Sequence, residues 1–273
     1  MTSAQPLRAP AGLLPLPRPL MTGEVLDAAF RLFRAGLLRT LPYSGLAVLV
    51  IELPTLYVDV MFRGKRELWF EVLGYFIVLA LSAALLGVIT LRLHAISRGL
   101  RPRFRGELMM VLRRWPSALI ATIGAVGLPL LLFRFGSVFN NVLPTAALLV
   151  LAVPLLWPTS LVVVALPAFW CDGQGPFAAI VQAIRVSRRQ SWRIVGALVA
   201  TVCMIAVFYL LAAMVVGMLS PLLGRADLVL LAIVSSMVAL VVGAFGVPFV
   251  LAMLIVAYED LKLREQRRGG VGP

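Results

Sequence analysis

Five stretches of this chain, Val72–Leu91, Trp115–Phe133, Phe135–Cys171, Ile194–Gly224 and Leu228–Tyr258, contain no charged side chain. A hydrocarbon core about 30 Å thick needs about 20 apolar residues in a helix to cross it, and every one of these stretches is of that order. Composition agrees: 61% of the residues are hydrophobic, 14% are charged and the mean hydropathy is +0.99. Globular domains average about 45–50% apolar and about 25% charged residues, and a soluble fold of this size could not hide the excess in one core.

The longest stretch is too short for two spans and a turn. Arg134 and Asn140-Asn141 read as a short loop, followed by one helix over Val142–Phe169. Pro144, Pro154, Pro158 and Pro167 are expected to kink it, which neighbouring helices in a bundle tolerate. A weaker sixth span, Leu41–Met61, is interrupted by Glu52, Pro54 and Asp59. The expectation is an all-α polytopic membrane protein with six transmembrane helices.

Twenty-five Lys and Arg against twelve Asp and Glu give a formal charge of +13. In a soluble chain that excess would suggest nucleic acid. Here the basic residues flank apolar runs, where the positive-inside rule and anionic headgroups account for them, so no nucleic-acid partner is expected. With six spans and the N-terminus inside, twenty Lys and Arg fall on inner segments and five (Arg63, Lys65, Arg66, Arg134, Arg225) on outer loops. Both termini are therefore predicted to be cytoplasmic. Residues 1–21 are Pro-rich without the apolar core of a signal peptide, and read as a disordered leader. Residues 22–268 form one membrane domain and 269–273 a tail.

The inner segments share a pattern. Over Thr22–Arg39, Glu24, Asp27, Arg31 and Arg34 share one helical face, opposite Leu26, Ala29, Phe30, Phe33 and Leu37. Phe104–Arg114 and Pro176–Arg193 are similarly amphipathic and basic, and each leads into a span. Such segments suggest helices lying in the membrane interface. Arg34, Arg114 and Arg188 occupy comparable places, so the chain reads as a threefold internal repeat with units near 22–98, 99–172 and 173–268. Candidate contacts for anionic lipid are Arg31, Arg34, Arg113, Arg114, Arg185, Arg188 and Arg189.

The segment Gly23-Glu24-Val25-Leu26-Asp27-Ala28-Ala29-Phe30-Arg31-Leu32-Phe33-Arg34 resembles the opening of a broad bacterial membrane group. That group includes the YciC-type inner-membrane proteins and the membrane domain fused to some glycerophosphodiester phosphodiesterases. Tyr258-Glu259-Asp260-Leu261-Lys262-Leu263-Arg264 is similar to its aromatic-x-Asp-Leu-Arg-x-Arg ending, with Lys262 where arginine is usual. The resemblance implies a six-span protein of the bacterial inner membrane, and it carries no functional residues over.

Catalytic patterns are missing from the sequence. There is one histidine, His94, no P-loop, no His-Glu-x-x-His and no nucleophile elbow, and no cofactor or metal is expected. Cys171 and Cys203 fall near one membrane face, and no disulfide is expected there. Gly173-Gln174-Gly175-Pro176 reads as a turn before a helix, with Pro176 in its first turn. Glu52 is the candidate intramembrane polar site. A carboxylate at that depth costs roughly 2.5–3.5 kcal/mol, so it reads as a proton or cation relay or a headgroup contact, or else as a protonated acid bonded between helices or one that a shorter span places near water. Tyr258, Asp260 and Arg264 read as an interfacial anchor at the inner end of the last span. Gly243-Ala244-Phe245-Gly246 and Gly217 suit close helix packing.

These features favour a non-enzymatic scaffold or accessory for membrane or lipid organisation. Its partners would be anionic headgroups and either another protein or a second copy of the chain. The alternative is a transporter of a small solute, ion or lipid, lined by Glu52 and the kinked fourth span.

Overall fold

The computed structural model describes Leu14 and residues 18–61, 68–100, 103–123, 160–219 and 228–268; for 51–61, 68–75, 216, 219, 228–232, 235 and 268 it describes the backbone alone. Among the described residues the chain is helical throughout, with no strand: α1 (Thr22–Met61), α2 (Leu68–Ser97), α3 (Phe104–Thr122), α4 (Ala165–Cys171), α5 (Pro176–Ser187), α6 (Ser191–Leu219) and α7 (Leu228–Arg268). Among the described residues, three segments are long and apolar enough to cross a membrane: Phe76–Ser97 in α2, Ser191–Val215 in α6 and Ser236–Arg267 in α7. Most of the expected fourth span, Val142–Phe169, lies outside the described residues, as do Arg63, Lys65, Arg66, Arg134 and Arg225 of the expected outer loops.

The sequence predicts a separate interfacial helix over Thr22–Arg39. The structure instead makes it the first half of α1, which continues through Pro42 as one helix of 40 residues. The reason is the buried stripe. Val25, Ala29, Leu32, Gly36, Thr40, Ser44 and Ala47 recur every three or four residues across the junction, and α2 and α7 are the main helices packed against α1. Phe104–Arg114 likewise runs on through Pro116 to Thr122 as α3. Only the third inner segment breaks. There α5 stops at Ser187, Arg188–Gln190 form a turn, and the Gln190 N–H bonds the Ser187 carbonyl at 2.9 Å before α6 begins. The three segments therefore differ in form.

The largest helix pair is α1 with α7, and it is antiparallel. Leu20 lies against Asp260, Phe30 and Phe33 against Phe249, and Ser44 against Ala244. The Ser44 hydroxyl donates to the Ala244 carbonyl at 2.6 Å. Such interhelical bonds between apolar helices average about 0.6 kcal/mol, so close packing must supply the rest. At Gly243 a Cβ would fall 2.7 Å from a Val48 methyl. Each helix is about 60 Å long at 1.5 Å per residue, roughly twice the hydrocarbon thickness of a bilayer.

A second core gathers on α4, where Phe169 and Trp170 stack edge to face with centroids 4.8 Å apart. Val88, Val111, Ala118, Ala179, Ala183, Ile194 and Tyr258 surround them. The Trp170 indole fills the space above Gly87 of α2, where a Cβ would overlap a ring carbon. Among the described residues, nothing lies within 4 Å of the place a Cβ would take at Gly217 of α6.

Gly87→Ala forces the Trp170 ring to move and is expected to destabilise the protein by about 1–3 kcal/mol, as overpacking does. Gly217→Ala should be neutral or slightly stabilising, by at most about 1 kcal/mol. Thermal unfolding in detergent, followed by tryptophan fluorescence, measures both.

Candidate functional site

The starts of α1 and α6 and the ends of α2, α4 and α7 meet at one end of the bundle. The stretch before α1 ties several of them together. The Leu14 N–H donates to the Ser97 carbonyl at 2.9 Å, and Leu14 is buried. The Leu20 N–H donates to Asp260 Oδ1 at 2.7 Å, while the Leu20 carbonyl accepts from Arg193 at 2.6 Å and Arg264 at 2.5 Å. Thus Leu14 and residues 18–21, expected to belong to a disordered leader, are seated on the helix ends. Residues 1–13 and 15–17 of that leader lie outside the described residues.

The same end holds nearly all the described carboxylates in ion pairs. Arg92 donates through Nε and Nη2 to Glu107 Oε2 at 3.0 and 2.8 Å, with both side chains only about a tenth exposed. Its Nη1 reaches the Arg39 carbonyl at 2.8 Å, and its guanidinium lies 4.5 Å over the Tyr43 ring. Lys262 bonds both oxygens of Asp172 at 2.9 and 3.0 Å. Arg98 pairs with Glu259, Arg264 with Asp260, Arg31 with Asp27 and Arg18 with Glu24. Among the described acidic side chains, Glu265 alone has no cation partner.

The cations are therefore in surplus. Arg34, Arg113, Arg185, Arg188 and Arg189 are exposed and have no carboxylate partner among the described residues, and Arg114 lies against Gly173 in the turn between α4 and α5. That turn requires glycine at 173, where φ is +68°, and Pro176 then opens α5. Three of the free arginines converge. Arg185, Arg188 and Arg189, with Gln190 and Glu265, line a groove of about 620 Å³ between the α5–α6 turn and the end of α7. Val181, Ile184 and Leu261 form its apolar wall.

Tyr258 and Asp260 are buried, not displayed. The Tyr258 hydroxyl donates to Asp172 Oδ2 at 2.5 Å, which ties α7 to the turn before α5. Asp260 accepts from Arg264 Nε at 2.9 Å within α7. Neither the Asp172–Tyr258–Lys262 cluster nor the Arg92–Glu107 pair has a signal in local sequence spacing, because the partners come from different helices. Glu52 lies in the backbone of α1, and its side chain is outside the described residues.

No group of three or more His, Cys, Asp or Glu among the described residues could hold a metal. Both cysteines are free, with Cys203 exposed in the middle of α6. Burial, then the Glu259 and Asp172 carboxylates, push the Cys171 thiol well above its ordinary range, which keeps it protonated and a poor nucleophile. The exposed surface carries guanidinium groups without a carboxylate partner among the described residues.

Two outcomes test the network. Glu107→Gln strands a buried guanidinium and is expected to cost about 3–5 kcal/mol, whereas Arg92→Met with Glu107→Leu should be close to neutral; chemical denaturation in detergent compares them. At the start of α1, Glu24 Oε2 accepts the Met21 N–H at 2.7 Å, the carboxylate half of a capping box. That bond, aided by Arg18, holds the Glu24 carboxyl below its usual range. Its contribution is then present above the ordinary carboxylate pKa and lost as pH falls through the lowered value. Hydrogen-exchange protection at Met21 should fall over that acid window in the native protein and show no such titration in Glu24→Gln.

No protein-family model, curated protein or solved structure matches the chain.

Proposed function

We propose that the chain is a non-enzymatic integral protein of the bacterial inner membrane, a scaffold or accessory for membrane or lipid organisation. It has six spans, with both termini and the basic end of the bundle on the cytoplasmic side. The family resemblance carried by residues 23–34 and 258–264 supports the inner-membrane placement.

One observation carries the reading: large apolar side chains and unpaired arginines are exposed side by side at the same end. The helix α5 packs inward through Ala179, Ala183 and Val186 and leaves Phe177 71% exposed, with Val181 and Ile184 on the same outward stripe. Arg185, Arg188 and Arg189 adjoin that stripe. Trp192 is 72% exposed one turn later, and Met109 and Leu112 of α3 are exposed beside Arg113. In water such a surface would aggregate. At the headgroup level both halves are satisfied, the apolar stripe among acyl chains and the guanidiniums among phosphates.

Single cysteines at Lys65 and Gly269, in a chain freed of Cys171 and Cys203, are expected to react with impermeant reagent from opposite sides of the membrane. Labelling from the same side would remove the Leu41–Met61 span. In reconstituted bilayers the intact protein should gather anionic over zwitterionic lipid around itself, with the preference falling as salt screens the charges. A lipid shell of bulk composition would end the lipid-organising reading.

A further inference from the structure

We infer that the groove between the α5–α6 turn and the end of α7 is a discrete headgroup site for one anionic phospholipid. The inference rests on the proposed membrane placement and goes beyond it, from a diffuse basic surface to a bounded site with a defined occupant.

Three features single out this groove among the exposed arginines. The first is geometric. Arg185 in the last turn of α5 and Arg188 and Arg189 in the turn that follows it all line the same groove. The Arg188 N–H bonds the Ile184 carbonyl at 2.9 Å and the Gln190 N–H bonds that of Ser187 at 2.9 Å, so the backbone carrying these side chains is held in place. Arginine's planar fork suits phosphate oxygens. Elsewhere at this end, Arg31, Arg92, Arg98 and Arg264 are already engaged with carboxylates.

The second feature is a neutral polar group. Gln190 lines the groove beside the three guanidiniums, and a side-chain amide can serve a phosphate oxygen or a headgroup hydroxyl through its N–H donors or its carbonyl oxygen.

The third feature selects lipid over a free phosphate ion. Val181, Ile184 and Leu261 form an apolar wall beside the arginines, and Val181 and Phe177 continue it outward as an exposed stripe. A phosphate ion would leave this wall wet, whereas a phospholipid covers it with the upper part of an acyl chain while its phosphate meets the guanidiniums. The volume of about 620 Å³ lies within the range of roughly 300–1,000 Å³ typical of small-molecule sites. Glu265 is the one acid in the lining and works against an anion.

The test uses the full chain in mixed micelles titrated with phosphatidylglycerol, with bound lipid counted by native mass spectrometry. Arg185→Gln, Arg188→Gln and Arg189→Gln together are expected to weaken retention of the tightest-bound lipid by roughly fivefold per arginine removed. Arg39→Gln, Arg103→Gln and Arg105→Gln together remove the same charge from exposed positions outside the groove and should leave that lipid in place. Glu265→Gln should bind phosphatidylglycerol more tightly than the native chain, a gain that misfolding cannot produce. Equal losses in the two triple variants would overturn the discrete site while leaving the lipid-organising reading standing. No retained lipid in the native chain would remove both. Displacement of the lipid by millimolar inorganic phosphate, or no gain in Glu265→Gln, would also overturn the site.

Discussion

Along the α1–α7 seam, Gly243 admits Val48 and the Ser44 hydroxyl reaches the Ala244 carbonyl. The first and last described helices can therefore run antiparallel at close range. Association between such apolar helices gains little from the hydrophobic effect once both are in lipid, so it depends on backbone proximity and many small dispersion contacts. The seam delivers the start of α1 and the end of α7 to the same place. The ties from Leu20 to Asp260 and to Arg264 follow from that juxtaposition.

Where the helix ends meet, the chain has to bury charge, and it does so in pairs. Arg92 is held by a carboxylate, a carbonyl and an aromatic face at once, which is the kind of multiple satisfaction a buried ion needs to offset its desolvation. Asp172 is shared between Lys262 and Tyr258 in the same way. These pairs occupy the carboxylates of the region. Arginines beyond them are left exposed, and the excess positive charge read from composition becomes localised on α1, on α3, on α5 and on the turn after α5.

The distinction between α5 and the other two inner segments bears on that localisation. Where Thr22–Arg39 and Phe104–Arg114 run straight on as parts of longer helices, the third segment ends in a turn. A turn sets α5 apart from the axis of α6, frees its outward stripe of Phe177, Val181 and Ile184, and opens the groove against α7. The lipid site we infer depends on that break, which the other two segments lack.

Much of the architecture is local and so could be read from the chain alone. Helices over 72–91, 194–219 and 228–258 follow from uninterrupted apolar length, the turn at 173–175 from glycine and proline, and the Asp27–Arg31 and Asp260–Arg264 pairs from spacing of four. Clustering of arginine near 185–189 was equally visible. Only tertiary structure decided that Thr22–Met61 is a single helix, because the buried stripe that unites it exists only against α2 and α7. Nor could spacing show that Tyr258 turns inward to Asp172, 86 residues away, or that Glu107 takes up Arg92. Periodicity fixes which side chains share a face of one helix. Which faces meet, and so which charges are cancelled and which are left free, depends on packing between helices far apart in the chain.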